Sequence, residues 1–153
     1  MEVDLVVKHL KDKNITIGAA ESITAGLFAS TLTTVPGVSK IFKGSIVSYS
    51  TVVKETVLGV SSDTVKNFGV VSKETALEMA KNVKSILNVD LAISFTGNAG
   101  PDALEDKPVG LVFIGIAYLN KVKVFKLQLN GSRQEIREKC VEYALRLINE
   151  KVI

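Results

Sequence analysis

Small polar residues that can bind or activate a ligand gather in three short segments of this 153-residue chain. Each segment comes directly after a predicted strand, at residues 21–26, 48–54 and 96–101. In an open α/β sheet, ligands bind outside the carboxyl ends of the strands, where loops meet the N-termini of helices. We therefore expect the three segments to meet at one edge of a sheet and to form a small-molecule site.

The three segments offer different chemistry. The hydroxyls of Ser22 and Thr24 lie where a helix begins, and free backbone N–H groups there can bind an anion or a developing oxyanion. Lys54 lies about one turn inside a helix that begins near Ser50, so its side chain can reach back over the strand end. The glycines of residues 96–101 allow the backbone to approach a ligand closely.

Each segment also has a purely structural interpretation. Ser22 or Thr24 can serve only as a helix N-cap, Lys54 can be a solvated lysine, and the glycine-containing loop can be a simple turn. The position of all three after successive strands favours a site. It does not by itself identify a reaction.

A pair of arginines near the C-terminus forms a fourth feature. Arg133 and Arg137 are i, i+4 neighbours in the first turns of the last predicted helix. Like charges at this spacing repel each other, and cations oppose the positive end of a helix. A bound phosphate would remove both penalties. The alternative is pairing with Glu135, Glu138 or an aspartate of another loop.

Several common catalytic patterns are missing. His9, the single histidine, lies off the apolar face of the first helix, where we expect it to be solvated and therefore not part of a Ser-His-Asp triad. Cys140, the single cysteine, lies on the apolar face of the last helix and is expected to be a buried small hydrophobe. Neither GxxxxGK[ST] nor GxGxxG occurs. We expect neither a metal nor a cofactor.

The composition favours one folded domain over residues 1–153. Hydrophobic residues at 46% and charged residues at 23% exclude a disordered chain. A formal net charge of +3 is too small to indicate nucleic-acid binding. No apolar run approaches the roughly 20 residues of a membrane span, and the N-terminus lacks the pattern of a signal peptide. We expect a cytoplasmic protein without nucleic-acid or membrane partners.

The spacing of apolar residues predicts the elements that position these segments. The last two strands form a hairpin across Asn120-Lys121, and a loop led by Gly59 precedes Ser72. The alternation predicts a three-layer α/β/α sandwich with a mixed, mostly parallel sheet and a C-terminal hairpin and helix. Helices are predicted over residues 1–13, from 26 to about 34, over 50–58, from 72 to 87 and after the Ser132-x-x-Glu135 capping box, and strands over 15–20, 44–49, 90–95, 109–119 and 122–129.

Six motifs follow one another along nearly the whole chain. They are Ala20-Glu21-Ser22-x-Thr24-x-Gly26, Pro36-Gly37, Tyr49-Ser50 with Lys54, Gly69-x-Val71-Ser72, Thr96-Gly97-x-Ala99-Gly100-Pro101 and Lys107-Pro108-Val109-Gly110. Together they resemble the CinA C-terminal domain family, which includes stand-alone nicotinamide-nucleotide amidases. The combination is specific, although no single motif would be.

The resemblance implies hydrolysis of the carboxamide of nicotinamide mononucleotide, which gives nicotinate mononucleotide and ammonia. It implies a Ser–Lys dyad formed by Ser22 and Lys54, with Tyr49 nearby as a relay. Lysine can activate a serine if burial or neighbouring cations lower the pKa of the amine. A homodimer or a higher homo-oligomer is also implied by the resemblance.

The resemblance further implies a nucleotide pocket around the dyad, in which the loop 96–100 and the two arginines hold the ribose-phosphate. The alternative is a nucleotide-binding or assembly module of the same fold with weak or no catalysis. The expected substrate-binding residues are Glu21, Thr24, Gly26, Thr96, Gly97, Asn98, Ala99, Gly100, Arg133 and Arg137.

The chain also departs from the pattern of the family. Ala25 stands where the family often has glycine, and alanine is unfavourable if position 25 requires a positive φ. Asn98 replaces an isoleucine, and residues 102–104 replace a run of glycines, which should stiffen the loop. Thr51 replaces an asparagine. None of these changes removes Ser22 or Lys54.

Overall fold

The computed structural model describes residues 1–152. No helix in this range is long and apolar enough to cross a membrane. A short 3-10 turn at Val38–Lys40 precedes the second strand. The helices within this range are α1 (Glu2–Asp12), α2 (Leu27–Leu32), α3 (Thr51–Thr56), α4 (Ser62–Phe68), α5 (Lys73–Leu87) and α6 (Arg133–Lys151), and the strands are β1 (Ile17–Glu21), β2 (Phe42–Val47), β3 (Leu91–Gly97), β4 (Leu111–Tyr118) and β5 (Lys121–Gln128).

The strands form one mixed sheet in the order β2-β1-β3-β4-β5. The strand β1 is parallel to both of its neighbours, whereas the pairs β3–β4 and β4–β5 are antiparallel. Only β4 therefore runs against the other four strands, and the prediction of a mixed, mostly parallel sheet is confirmed. The carboxyl ends of β1, β2 and β3 consequently lie at one edge of the sheet.

Helices cover both faces of the sheet, as the three-layer prediction requires. One face packs against α1, α2 and α6, and the other packs against α5. Helix α1 shows how the pattern produces the layer: Val3, Val6, Val7 and Leu10 are spaced along one stripe and all four are buried.

Hydrogen-bonding side chains determine where the two long helices begin. The Ser132 hydroxyl accepts the N–H of Glu135, and the Glu135 carboxylate accepts the N–H of Ser132, so the predicted capping box is present. The Ser72 hydroxyl accepts the N–H of Thr75 at the start of α5. Because α6 starts at a defined residue, its first turns hold their side chains at a fixed position beside the strand ends.

Two predictions about the connections were wrong. The structure has helix α4 between Gly59 and Ser72, where we predicted a loop; this helix buries no residue, so no apolar stripe marks it in the sequence. The hairpin turns across Leu119-Asn120, because Tyr118 pairs with Lys121 and Leu119 adopts a left-handed φ of 56°.

Candidate active site

The three predicted segments meet around a cavity of about 310 Å³ at the carboxyl edge of the sheet. This volume lies at the lower end of the range of small-molecule sites, about 300–1,000 Å³. The cavity is lined by Ser22, Ile23, Tyr49, Lys54, Val70, Val71, Thr96, Gly97, Asn98, Ala99, Gly100, Pro101, Asp102, Leu104 and Arg133.

Lys54 and Ser22 are in direct contact inside this cavity, as predicted. The Nζ atom of Lys54 lies 2.8 Å from the Oγ atom of Ser22. The same amine donates to the carbonyl oxygens of Ser48, at 2.8 Å, and Tyr49, at 3.0 Å. The Ser50 hydroxyl caps α3, so this helix begins immediately after β2 and directs the lysine back over the strand end.

The environment of Lys54 increases the fraction of neutral amine relative to a solvated lysine. Only 1% of the residue is exposed, and among residues 1–152 no carboxylate lies within ion-pair distance of it. Burial lowers the pKa of Lys54 to about 8, against a weaker opposing attraction from Glu105. A neutral amine has two hydrogens for the two carbonyls, which leaves its lone pair for the hydroxyl of Ser22. This is the arrangement that a general base needs.

The backbone around Ser22 offers unused donors beside the hydroxyl. The N–H of Ser22 donates to the carbonyl of Phe95 at 3.0 Å, which anchors the residue between β1 and β3. The N–H groups of Ile23 and Thr24 donate to no acceptor in the part of the chain that the structure describes. Preorganised N–H groups next to a nucleophile can stabilise an oxyanion.

The N-terminus of α2, which we expected to bind an anion, is occupied by Glu21. Its buried carboxylate accepts the N–H groups of Gly26 (3.2 Å), Phe28 (2.9 Å) and Ala29 (3.2 Å) and the hydroxyl of Ser45 (2.7 Å). Glu21 and Gly26 do not line the cavity. The structure therefore does not bring these two predicted binding residues to the cavity, and both groups serve to cap α2.

Arg137 and Thr24, two more of the predicted binding residues, also lie outside the lining of the cavity. Arg137 donates from Nε to the carbonyl of Ile23 at 3.1 Å and from Nη2 to the carbonyl of Thr24 at 2.9 Å. Thr24 is fully buried, and its Oγ1 atom has no hydrogen-bond partner. The arginine therefore holds the turn after Ser22.

Arg133 does line the cavity, and it connects two of its walls. Its guanidinium donates to the hydroxyl of Tyr49 at 3.1 Å and to the carbonyl of Gly100. Within residues 1–152, neither Arg133 nor Arg137 forms an ion pair, so carbonyl and hydroxyl oxygens are the partners of Arg133 in place of the carboxylates that we considered. The Tyr49 hydroxyl is bound to Arg133, whereas only the Tyr49 carbonyl contacts Lys54.

The loop after β3 lines the cavity mainly with its backbone. The Thr96 hydroxyl donates to the carbonyl of Val70 at 2.7 Å. The Asn98 amide donates to the carbonyl of Lys107 at 3.3 Å and accepts the N–H of Gly100 at 3.2 Å. The side chains of Thr96 and Asn98 are therefore used to hold the loop, and the asparagine that departs from the family pattern braces it.

A second wall of the cavity was not identified from the sequence. Glu105 accepts the N–H groups of Val70 (2.9 Å) and Val71 (3.1 Å). Lys107 donates to the carbonyls of Phe68 (2.8 Å) and Val71 (2.6 Å). These contacts pin the loop to residues 68–71. The motif Gly69-x-Val71-Ser72 was the indication of this wall in the sequence. It contains no side chain whose chemistry would by itself suggest a ligand contact.

Position 25 does require a left-handed backbone. Ala25 has a φ of 47°, and its N–H donates to the carbonyl of Ser22 at 3.1 Å. An alanine in this region is less stable than a glycine because of its Cβ atom. The chain therefore retains the turn at an energetic cost.

The single cysteine and histidine lie outside the cavity lining. Cys140 is buried, as predicted, and burial raises the pKa of its thiol to about 12. The imidazole of His9 is partly buried and lies 3.3 Å from Asn149, so it is less solvated than expected. Among residues 1–152, no group of three His, Cys, Asp or Glu side chains could hold a metal.

The fold and the site define an α/β protein with a buried serine–lysine pair at the carboxyl edge of its sheet. The profile of the CinA C-terminal domain matches residues 2–152, and the chain belongs to that family.

Relatives by sequence carry the name competence-damage inducible protein. One from Listeria innocua is 46% identical over 148 residues, which cover 96% of this chain and 36% of the relative. One from Thermoanaerobacter pseudethanolicus is 43% identical over 151 residues, which cover 98% of this chain and 37% of the relative. The chain thus spans little more than a third of the length of these relatives.

Solved structures show the same fold. A CinA superfamily protein from Enterobacter cloacae has a TM-score of 0.94 and 29% identity, with 99% of this chain and 92% of the other covered. A competence/damage inducible protein from Agrobacterium tumefaciens has a TM-score of 0.90 and 30% identity, with 98% and 95% covered.

Proposed function

We propose that this chain is an amidohydrolase that converts nicotinamide mononucleotide to nicotinate mononucleotide and ammonia through Ser22 and Lys54. The observation that carries the proposal is the 2.8 Å contact between Lys54 Nζ and Ser22 Oγ at the wall of a cavity. A serine hydroxyl is a weak nucleophile until a base accepts its proton, and this buried lysine is the base within reach. The family includes amidase-like members, which favours the same chemistry.

The first half of the reaction forms an acyl-enzyme. Neutral Lys54 accepts the proton of Ser22 while Oγ forms a bond to the carboxamide carbon. The carbonyl oxygen becomes negative and accepts a hydrogen bond from the N–H group of Ile23, which lines the cavity and has no acceptor among the described residues. Protonated Lys54 then gives its proton to the amide nitrogen, the C–N bond breaks, and ammonia leaves.

The second half returns the enzyme to its starting state. Neutral Lys54 accepts a proton from water as the water oxygen attacks the acyl carbon. The resulting tetrahedral intermediate releases the oxygen of Ser22, which recovers its proton from Lys54. The product leaves as the carboxylic acid, which loses its proton to solvent and becomes the carboxylate of nicotinate mononucleotide.

The walls of the cavity match the two ends of this substrate. Apolar side chains of Val70, Val71 and Leu104 form one wall, which suits a flat pyridine ring. Arg133 lies at the cavity and uses two of its five N–H donors in the protein, so others remain for a phosphate. These observations support Arg133, and not Arg137, as the ligand of the phosphate in this proposal.

The decisive experiment measures ammonia and nicotinate mononucleotide released by the purified chain without added metal. We expect turnover by the wild type and a loss of about a thousandfold or more in kcat for Ser22→Ala and Lys54→Met, because the nucleophile and base act as one unit. Ser85→Ala and Lys66→Met, which change exposed residues of α5 and α4, serve as matched controls and should retain full activity.

A melting scan with nicotinamide mononucleotide accompanies the assay. Normal turnover by folded Ser22→Ala or Lys54→Met would disprove the dyad. Thermal stabilisation of the wild type without product would disprove the amidase and support a nucleotide-binding module, the alternative that the stiffened loop at residues 102–104 favours.

A further inference from the structure

Arg137 holds the turn at residues 22–26, which we call the nucleophile turn, from the side of α6. Its Nε atom donates to the carbonyl of Ile23 at 3.1 Å, and its Nη2 atom donates to the carbonyl of Thr24 at 2.9 Å. Its Nη1 atom donates to the side-chain oxygen of Gln134 at 2.7 Å, which orients the guanidinium. A planar fork of donors that spans two successive carbonyls fixes the orientation of two successive peptide planes.

These contacts leave two N–H groups of the turn without acceptors. In a trans peptide, the C=O and N–H groups point in opposite directions. The carbonyl of Ser22 accepts the N–H of Ala25, and the carbonyl of Ile23 accepts Arg137. Within the described chain, the N–H groups of the same two peptides, those of Ile23 and Thr24, donate to no acceptor. They therefore point away from the groups that hold the carbonyls.

The nucleophile turn is not a low-energy conformation by itself. Ala25 has a left-handed φ of 47°, and the buried Oγ1 of Thr24 has no partner. Arg137 also lies early in α6, where the helix dipole disfavours a cation. Features of this kind persist only where the surrounding structure holds them, and they occur most often at functional sites.

We propose that Arg137 is a positioning residue that holds the nucleophile turn so that the N–H group of Ile23, which lines the cavity, stabilises the oxyanion formed when Ser22 attacks. This inference rests on the proposed function, since it requires Ser22 to be the nucleophile. Arg137 acts through the backbone of the turn: by holding the carbonyls of Ile23 and Thr24, its guanidinium fixes the position of the Ile23 N–H beside Ser22.

The test uses a reaction of Ser22 that does not depend on the amide substrate. A fluorophosphonate probe forms a bond from its phosphorus to Ser22 Oγ, the serine proton passes to Lys54, and fluoride leaves. The phosphoryl oxygen gains negative charge as the bond forms, so the same Ile23 N–H group controls the rate. Intact-protein mass spectrometry measures the rate of labelling.

We expect Arg137→Met to label about 30- to 100-fold more slowly than the wild type, because loss of one oxyanion donor costs about 100- to 1,000-fold and the turn is loosened but not removed. Arg146→Met is the matched control. It changes an arginine of the same helix that stacks over Tyr143 at 5.2 Å, and it should label within twofold of the wild type.

Two further variants keep the test decisive if Arg137→Met does not fold. Arg137→Lys retains the charge but not the fork, and we expect labelling about 3- to 10-fold slower. Gln134→Ala removes the group that orients the guanidinium, and a reduction of about two- to fivefold is expected. With nicotinamide mononucleotide, the loss should lie in kcat, with KM changed less than threefold, since the oxyanion exists only in the transition state.

Each outcome has a defined meaning. A folded Arg137→Met that labels within twofold of the wild type, or a loss confined to KM, would overturn the role of Arg137. A shift in the midpoint of the pH profile of labelling would assign the effect to Lys54 and also overturn it. Slow labelling of the variant without ammonia release by the wild type would leave Arg137 supported and the proposed substrate wrong. A wild type that the probe does not label would overturn both proposals.

Discussion

The surroundings of Glu21 and of Lys54 show two different uses of a buried charged side chain. Exposed fractions are 0% for Glu21 and 1% for Lys54, and both residues lie at the carboxyl edge of the sheet. Every partner of Glu21 is a donor: three backbone N–H groups and the hydroxyl of Ser45. Two partners of Lys54 are carbonyls, and the third is the hydroxyl of Ser22, which can either donate or accept.

This difference separates a structural group from a chemical one. Because all the groups around Glu21 are hydrogen-bond donors, this site accommodates only a side chain whose oxygens accept hydrogen bonds. The Glu21 carboxylate therefore holds the start of α2 and, with it, the nucleophile turn. The site of Lys54 accommodates both the ammonium and the neutral amine, because the hydroxyl of Ser22 can reverse its hydrogen bond. A base must exchange a proton without losing its position, and only the second site permits this.

The largest effect expected from this comparison concerns the pH dependence of kcat/KM. Because burial lowers the pKa of Lys54 to about 8, the active neutral form increases as pH rises through this value. We expect kcat/KM to rise about tenfold per pH unit between pH 6 and 8 and to level off above it. Lys66→Met should give the same midpoint. A profile that is flat from pH 6 to 9 would show that Lys54 is not the base.

A second test removes the charge at Glu21. In Glu21→Gln, the amide NH2 faces N–H donors that now have no acceptor, and we expect the free energy of unfolding to fall by about 1–3 kcal/mol. For a chain of this length, about 2–4 °C is lost from the Tm per kcal/mol. Thermal melting measures this change, with the exposed Glu142→Gln as the control. An unchanged Tm would contradict the structural role that we assign to Glu21.

The smallest expected effect concerns the turn that Glu21 and Arg137 hold. Ala25→Gly removes a Cβ atom at a φ of 47°, which offsets the larger conformational freedom of glycine in the unfolded chain. We expect the Tm to rise by about 1–3 °C. Ala103→Gly, at an exposed position without a positive φ, should lower it slightly. A lower Tm for Ala25→Gly would mean that position 25 carries no strain.

Much of the fold could be predicted because its signals are local. The residues that form the apolar stripe of α1 are close together in the sequence, and so are the residues that form the capping box of α6. Both predictions were confirmed. Helix α4 was missed because it buries no residue and therefore shows no apolar period. The hairpin turn was misplaced by one residue because Leu119, a residue with no turn preference, adopts the left-handed conformation.

In the candidate site too, some features could be predicted from the sequence and others could not. Motifs and strand ends were enough to bring Ser22, Lys54 and residues 96–101 to one cavity, because parallel strands present their carboxyl ends at one edge. Which polar groups face that cavity was decided only by tertiary packing. Arg137 meets Ile23 across 114 residues of chain, and this contact depends on how α6 packs beside the nucleophile turn. Side-chain orientation between distant elements leaves no local pattern, so similar residues such as Arg133 and Arg137 receive different roles only in the folded chain.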